Sequence, residues 1–172
     1  MPIKKYKVRS SYRGEQNSCF TIEGLETGDE LPKIPKKCNH ILFENCFIDK
    51  GIVLDDKIKS ISFYESYVKF KRFPKNLNEL AYRSCDHIHF PRSFKKLTKF
   101  YAITTFRCDV NLFSIKSLPE TTQSIVSYGL PYEKNLKKLP RDIQLIETTF
   151  YDDEDTPTIE KYHKAYSTRR SS

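Results

Sequence analysis

The densest group of chemistry-bearing side chains is the run Cys85, Asp86, His87 and His89. A thiol and two imidazoles at alternating positions fall on one side of an extended chain, and such sulfur and nitrogen donors suit zinc. A closed zinc site needs four ligands, and no second Cys/His pair stands at finger spacing. The run therefore reads as a strand-end cysteine followed by two loop histidines, and no metal or other cofactor is expected. Paired carboxylates at Asp55-Asp56 and Asp152-Asp153 fall at expected turns, where solvation is the ordinary outcome. The sequence lacks a Gly-x-Ser-x-Gly elbow and a phosphate-binding Gly-rich loop, and only 5 glycines are present. Without a nucleophile, base and oriented third group, no residue is assigned a catalytic role and the chain is not expected to be an enzyme.

One further cluster is basic: Lys4, Lys5, Lys7, Arg9 and Arg13, interleaved with aromatic residues as in nucleic-acid binders. The whole chain carries a net charge of +8, which fits nucleic acid or an acidic surface as a partner. Its 172 residues allow one domain, and 38% hydrophobic with 30% charged residues is a globular balance. Tyr and Phe number 11 and 12 with no Trp, so phenyl and phenol rings must do much of the packing. Five cysteines without paired short spacings do not read as a disulfide framework, and no apolar run reads as a signal peptide or a membrane span. A reducing, cytoplasmic location is expected.

The elements that position these residues follow from an internal repeat. An apolar-Pro pair recurs at Ile34-Pro35, Phe73-Pro74, Phe90-Pro91, Leu118-Pro119 and Leu139-Pro140, with Leu54-Asp55 in the same slot. The six segments fit apolar-Pro-x-x-apolar-x-x-apolar-x-apolar. Their second column is Cys38, Ile58, Leu77, Phe94, Thr122 and Ile143; the third is Ile41, Ile61, Leu80, Leu97, Ile125 and Ile146. The fourth is Phe43, Phe63, Tyr82, Lys99, Ser127 and Thr148, which loses its apolar character in the last three units. Third and fourth columns stand two apart and so share one face of a strand. Units of about 20 residues leave little room for helices, so stacking them predicts a repeat solenoid, of α/β or mainly-β class, with a short parallel β-sheet on one face and extended or 3₁₀ connections on the other. Residues 1–30 are expected to form an N-terminal cap, 31–151 the six repeats, and 152–172 a C-terminal cap and frayed tail. The long interval in the fourth unit predicts an extra loop near residues 104–117.

The spacing of Leu77, Leu80, Tyr82 and Cys85, and of Cys38, Ile41, Phe43 and Cys46, resembles the leucine-rich repeat. The short period with Leu-Pro before each unit is similar to repeats of bacterial effectors delivered into host cells, and to the FNIP repeats of amoebae and giant viruses. The resemblance implies that Cys46 and Cys85, with Ser66 between, form a hydrogen-bonding ladder to neighbouring loop backbone, from which Ala102, Leu130 and Tyr151 depart. It also implies a role in binding another protein, as a pathogen or viral effector acting in a host cell.

On the concave sheet face the register aligns Glu44, Tyr64, Arg83, Phe100, Tyr128 and Thr149 in one column, about 4.8 Å apart. Tyr and Arg dominate binding hot spots, and aligned exposed rings mark an interface. Glu44, Tyr64, Arg83, Phe100 and Tyr128 are therefore the expected partner-binding residues of a monomeric module. Four acids and two bases occupy the sheet face, so a phosphate backbone would not choose it; the alternative of a nucleic-acid or acidic-surface binder rests on the N-terminal Lys/Arg cluster.

Overall fold

A computed structural model describes residues 7–13, 17–108, 118–128 and 145–149. Within them the chain is a mainly-β solenoid of parallel strands, as the repeat predicts. Its large sheet has eight strands in the order β1-β2-β3-β5-β7-β8-β9-β10. These are β1 (Lys7–Arg13), β2 (Asn17–Glu23), β3 (His40–Glu44), β5 (Ser60–Tyr64), β7 (Glu79–Arg83), β8 (Ala102–Phe106), β9 (Ser124–Tyr128) and β10 (Leu145–Thr149). β1 pairs antiparallel with β2, and every later neighbour pairs parallel. A second, two-stranded parallel sheet joins β4 (Phe47–Ile52) to β6 (Tyr67–Phe70). The one helical element among the described residues is a 3₁₀ turn, η1, at Phe94–Lys96.

Each unit starts with the same turn. The carbonyls of Pro35, Asp55, Pro74, Pro91 and Pro119 accept the N–H three residues on, from Cys38, Ile58, Leu77, Phe94 and Thr122. Proline fixes the backbone angle for that turn. Asp55 achieves it by another route: its carboxylate accepts the Lys57 N–H at 2.8 Å, an Asx turn. The neighbouring Asp56 accepts from Arg72 Nη1 at 2.6 Å and from the Lys75 N–H at 2.9 Å, so this pair of acids is built into the turns. These bonds, the Lys75 amide foremost, hold the Asp56 carboxyl below the usual range.

Strand alternation sends the third and fourth columns inward. Phe43 stacks on Phe63 with ring centroids 5.7 Å apart, and Phe63 on Tyr82 at 4.5 Å. Phe70, from the smaller sheet, meets Phe43 and Phe63 edge-on at 6.3 and 6.1 Å. This aromatic spine is how a chain with no Trp and 12 Phe fills its interior.

The fourth unit departs from the sequence register. The strand there is β8, whose Ile103 and Thr105 pair with Leu80 and Tyr82. Leu97 and Lys99 are not its inward columns. Phe100 takes the second-column place, Ile103 the third, Thr105 the fourth, and Cys108 the ladder slot; the first three and Cys108 are buried. Extra residues precede the strand, around η1; of the loop expected near residues 104–117, Thr104 is strand and residues 109–117 lie outside the described residues. The insertion is held because it is apolar. Phe94 is buried against Phe73, Phe90 and Phe100 at 5.4, 5.0 and 5.0 Å. The fifth and sixth units keep the expected register, with Ile103 opposite Ile125 and Ile125 opposite Ile146. The expected C-terminal cap at 152–172 lies outside the described residues.

Candidate functional site

Strand ends in this solenoid are built alike, and the candidate site grows from that geometry. The residue after β2, β3, β5, β7 and β8 turns left-handed: Gly24, Asn45, Glu65, Ser84 and Arg107 have φ of 73°, 50°, 47°, 51° and 50°. The turn lets the Gly24, Asn45, Glu65 and Ser84 amides donate to the carbonyls of Glu44, Tyr64, Arg83 and Phe106 on the next strand, at 2.9–3.0 Å. The following slot residue closes the corner. Cys46 Sγ donates to the Ile22 carbonyl at 3.2 Å, and Ser66 Oγ to the Phe43 carbonyl at 3.1 Å. Ser66 Oγ accepts the Cys46 N–H at 2.9 Å, and Cys108 Sγ accepts the Cys85 N–H at 3.4 Å. The ladder therefore runs through Cys46, Ser66, Cys85 and Cys108. Ala102, at the start of β8, is not its fourth rung.

These thiols are structural. A hydrogen bond with Cys108 and then burial push the Cys85 thiol far up, and burial pushes Cys46 up. A protonated, buried thiol is a poor nucleophile and a poor metal ligand. His87 is exposed, while His89 Nδ1 accepts the Phe70 N–H at 3.4 Å. Cys85, His87 and His89 are thus not gathered, and no group of three potential ligands occurs among the described residues.

With the strand ends fixed, the open face of the large sheet presents one aligned column. Backbone register sets Glu44 beside Tyr64, Tyr64 beside Arg83, Arg83 beside Phe106 and Phe106 beside Tyr128. Arg83 is exposed, and its guanidinium carbon lies 5.5 Å from the Tyr64 ring centroid and 5.4 Å from that of Phe106. Arg107 approaches the same Phe106 ring at 5.2 Å. Each such contact contributes about 0.5–1 kcal/mol at an exposed site. The guanidinium thus lies between two rings, and Arg83 has no ion pair among the described residues.

Four of the five expected partner-binding residues thus share one column: Glu44, Tyr64, Arg83 and, by backbone register, Tyr128. Phe100 does not. It is 0% exposed, packed on Phe94, and Phe106 stands in its place. Phe106 and Arg107 were legible from Cys108: Phe100-x-x-Ile103-x-Thr105-x-x-Cys108 has the spacing of Leu77-x-x-Leu80-x-Tyr82-x-x-Cys85.

The first residues of the strands, His40, Ser60, Glu79 and Ser124, with Ala102 among them, make one edge of the face largely polar. His40 Nε2 lies 2.9 Å from Ser62 Oγ, and Tyr101 donates to the Glu79 carboxylate. Burial pushes the His40 pKa down, against the pull of Glu79, which favours neutral imidazole. Of the basic cluster, Lys7, Arg9 and Arg13 lie on β1 at the sheet edge; Lys4 and Lys5 lie outside the described residues. No helix among the described residues is long and apolar enough to cross a membrane.

Round the corner from the column, a groove of about 650 Å³ is lined by Asn45, Cys46, Phe47, Glu65, Ser66, Tyr67, Ser84, Asp86 and His87. Its aromatic pair, Phe47 and Tyr67, falls outside the repeat template, although each directly follows a ladder residue.

Compared with protein-family models, with curated proteins and with solved structures, the chain matches none.

Proposed function

We propose that the protein is a non-catalytic binding module that grips another protein with the open face of its large sheet. The observation that carries this reading is the Tyr64–Arg83–Phe106 stack, an exposed guanidinium clamped between two rings. Ordering an arginine costs entropy, and here the free protein has already met that cost. An anchor pre-organised in this way suits a carboxylate on the partner, which can take two parallel N–H bonds from the guanidinium edge. Tyr and Arg are also the residues on which binding energy concentrates. Action in the cytoplasm of a host cell, as an effector, belongs to the same proposal and is supported by the resemblance of the repeat.

The test is capture of a partner from cytosolic lysate, followed by titration with the purified partner. Arg83→Ala is expected to weaken binding by about 30-fold, the equivalent of a hot spot near 2 kcal/mol. The triple change Tyr64→Ala, Arg83→Ala and Phe106→Ala should abolish capture while leaving the β-sheet circular dichroism intact. A correctly folded triple variant that captures the same partner as tightly would end this reading.

A further inference from the structure

We infer that the groove beside Phe47 and Tyr67 is a second, independent site that receives an arginine side chain on an extended basic segment of another protein. Phe47 is the most exposed large apolar side chain among the described residues, at 58%. Its ring lies 5.6 Å from that of Tyr67, tilted by 34°, so the two form one aromatic wall. Glu65 and Asp86 line the same groove. Neither carboxylate has a hydrogen bond or ion pair with a described residue, in a chain whose 30 Lys and Arg outnumber its 22 acids. Aromatic faces beside unpaired carboxylates are complementary to a cation. A planar guanidinium satisfies both at once, stacking on rings while forking to a carboxylate, which the compact ammonium of lysine does not. A volume near 650 Å³ exceeds one side chain and leaves room for the peptide backbone that carries it.

The site is separate from the sheet face, so it is tested on its own. The probe is a blocked hexapeptide of alternating glycine and arginine, titrated into ¹⁵N-labelled full-length protein and followed by NMR. Matched peptides carry lysine, or citrulline, the neutral isostere of arginine. The arginine peptide is expected to shift the amide signals of Phe47, Glu65, Tyr67 and Asp86. Affinity should fall at least ten-fold for citrulline, several-fold for lysine, and at least ten-fold for the Glu65→Gln/Asp86→Asn protein. Phe47→Ala, a change at an exposed position, should weaken binding without altering the melting temperature, and Arg83→Ala should leave it unchanged. The inference is overturned if citrulline or lysine peptides bind as tightly as arginine, or if the double variant keeps its affinity. It is overturned equally if the shifts fall on the sheet face, or if Glu65→Gln/Asp86→Asn abolishes self-association of the free protein, which would assign the groove to a second copy.

Discussion

The turn that delivers β5 and the turn that delivers β8 place their strands in the same sheet by different means. Asp55 to Ile61 is a short approach, closed by an Asx turn and leading straight to an inward isoleucine. From Pro91 to Ile103 the chain inserts a 3₁₀ turn and one extra buried ring, Phe94, before Phe100 and the equivalent isoleucine. Yet the strand ends are the same: a left-handed residue, then a ladder thiol or hydroxyl, at Glu65-Ser66 and at Arg107-Cys108. Loop length is cheap to change, because the entropy of closing a loop rises only slowly with its length. Strand register is costly to change, because a one-residue slip reverses inward and outward side chains. The solenoid therefore tolerates an irregular approach and keeps a uniform exit, and the candidate binding column sits at the exit.

The largest effect that sharpens this comparison separates two phenylalanines. Phe100→Ala should cost about 3–5 kcal/mol in chemical denaturation, since it opens a cavity in the core. Phe106→Ala should cost only about 1 kcal/mol, the value of its cation–π contacts and sheet packing, while removing partner binding. Equal costs would mean that both rings are core.

A deletion tests the insertion directly. Removing residues 94–99 joins Ser93 to Phe100 and restores the Pro-x-x-Phe-x-x-Ile spacing of the regular units. The shortened protein should keep the sheet, retain partner binding, and lose no more stability than a Phe→Ala core change, about 3–5 kcal/mol. A collapsed β-sheet spectrum would show that the insertion specifies the register instead of decorating it.

The repeat was legible because its inward columns are apolar and regularly spaced. Ile41, Ile61, Leu80, Ile125 and Ile146 fall where alternation puts them. Leu97 misled because an apolar insertion imitates the template: Phe94, Leu97 and Phe100 repeat at intervals of three, as a strand approach does. The charged Lys99 in the fourth column marked the wrong register of that unit, and Cys108 marked the right one; Thr105 and Ser127, polar as well, stand in the true column. The groove was illegible for another reason. Phe47 and Tyr67 lie 20 residues apart and meet only when successive turns stack, and an exposed ring carries no periodic signature.

Smaller effects probe the regular half. The Tyr82 hydroxyl is buried in the stack below Phe63 and has no hydrogen-bond partner among the described residues, and burial pushes its pKa well up. Tyr82→Phe continues the Phe43–Phe63 column and should raise stability by about 0.5–1 kcal/mol, because it removes an unsatisfied polar group. A loss of stability would reveal a bond to that hydroxyl.

The mildest change is in acid. Asp56 has a lower pKa folded than unfolded, so its contribution is present above the unfolded value near 3.8 and is lost as pH falls through the folded one. Asp56→Asn should flatten the acid limb of the stability curve below about pH 4 and leave the neutral-pH slope unchanged. An acid limb identical to the parent's would remove Asp56 from the account of the turn.

Phe106, not Phe100, stands beside Arg83 on the open face. The proton shifts of the Arg83 side chain report it, since flanking rings displace them upfield. Phe106→Ala should return those shifts toward random-coil values, and Phe100→Leu should leave them in place. If the Phe100 change moves the Arg83 resonances and the Phe106 change does not, the column is wrongly assigned and the binding proposal falls with it.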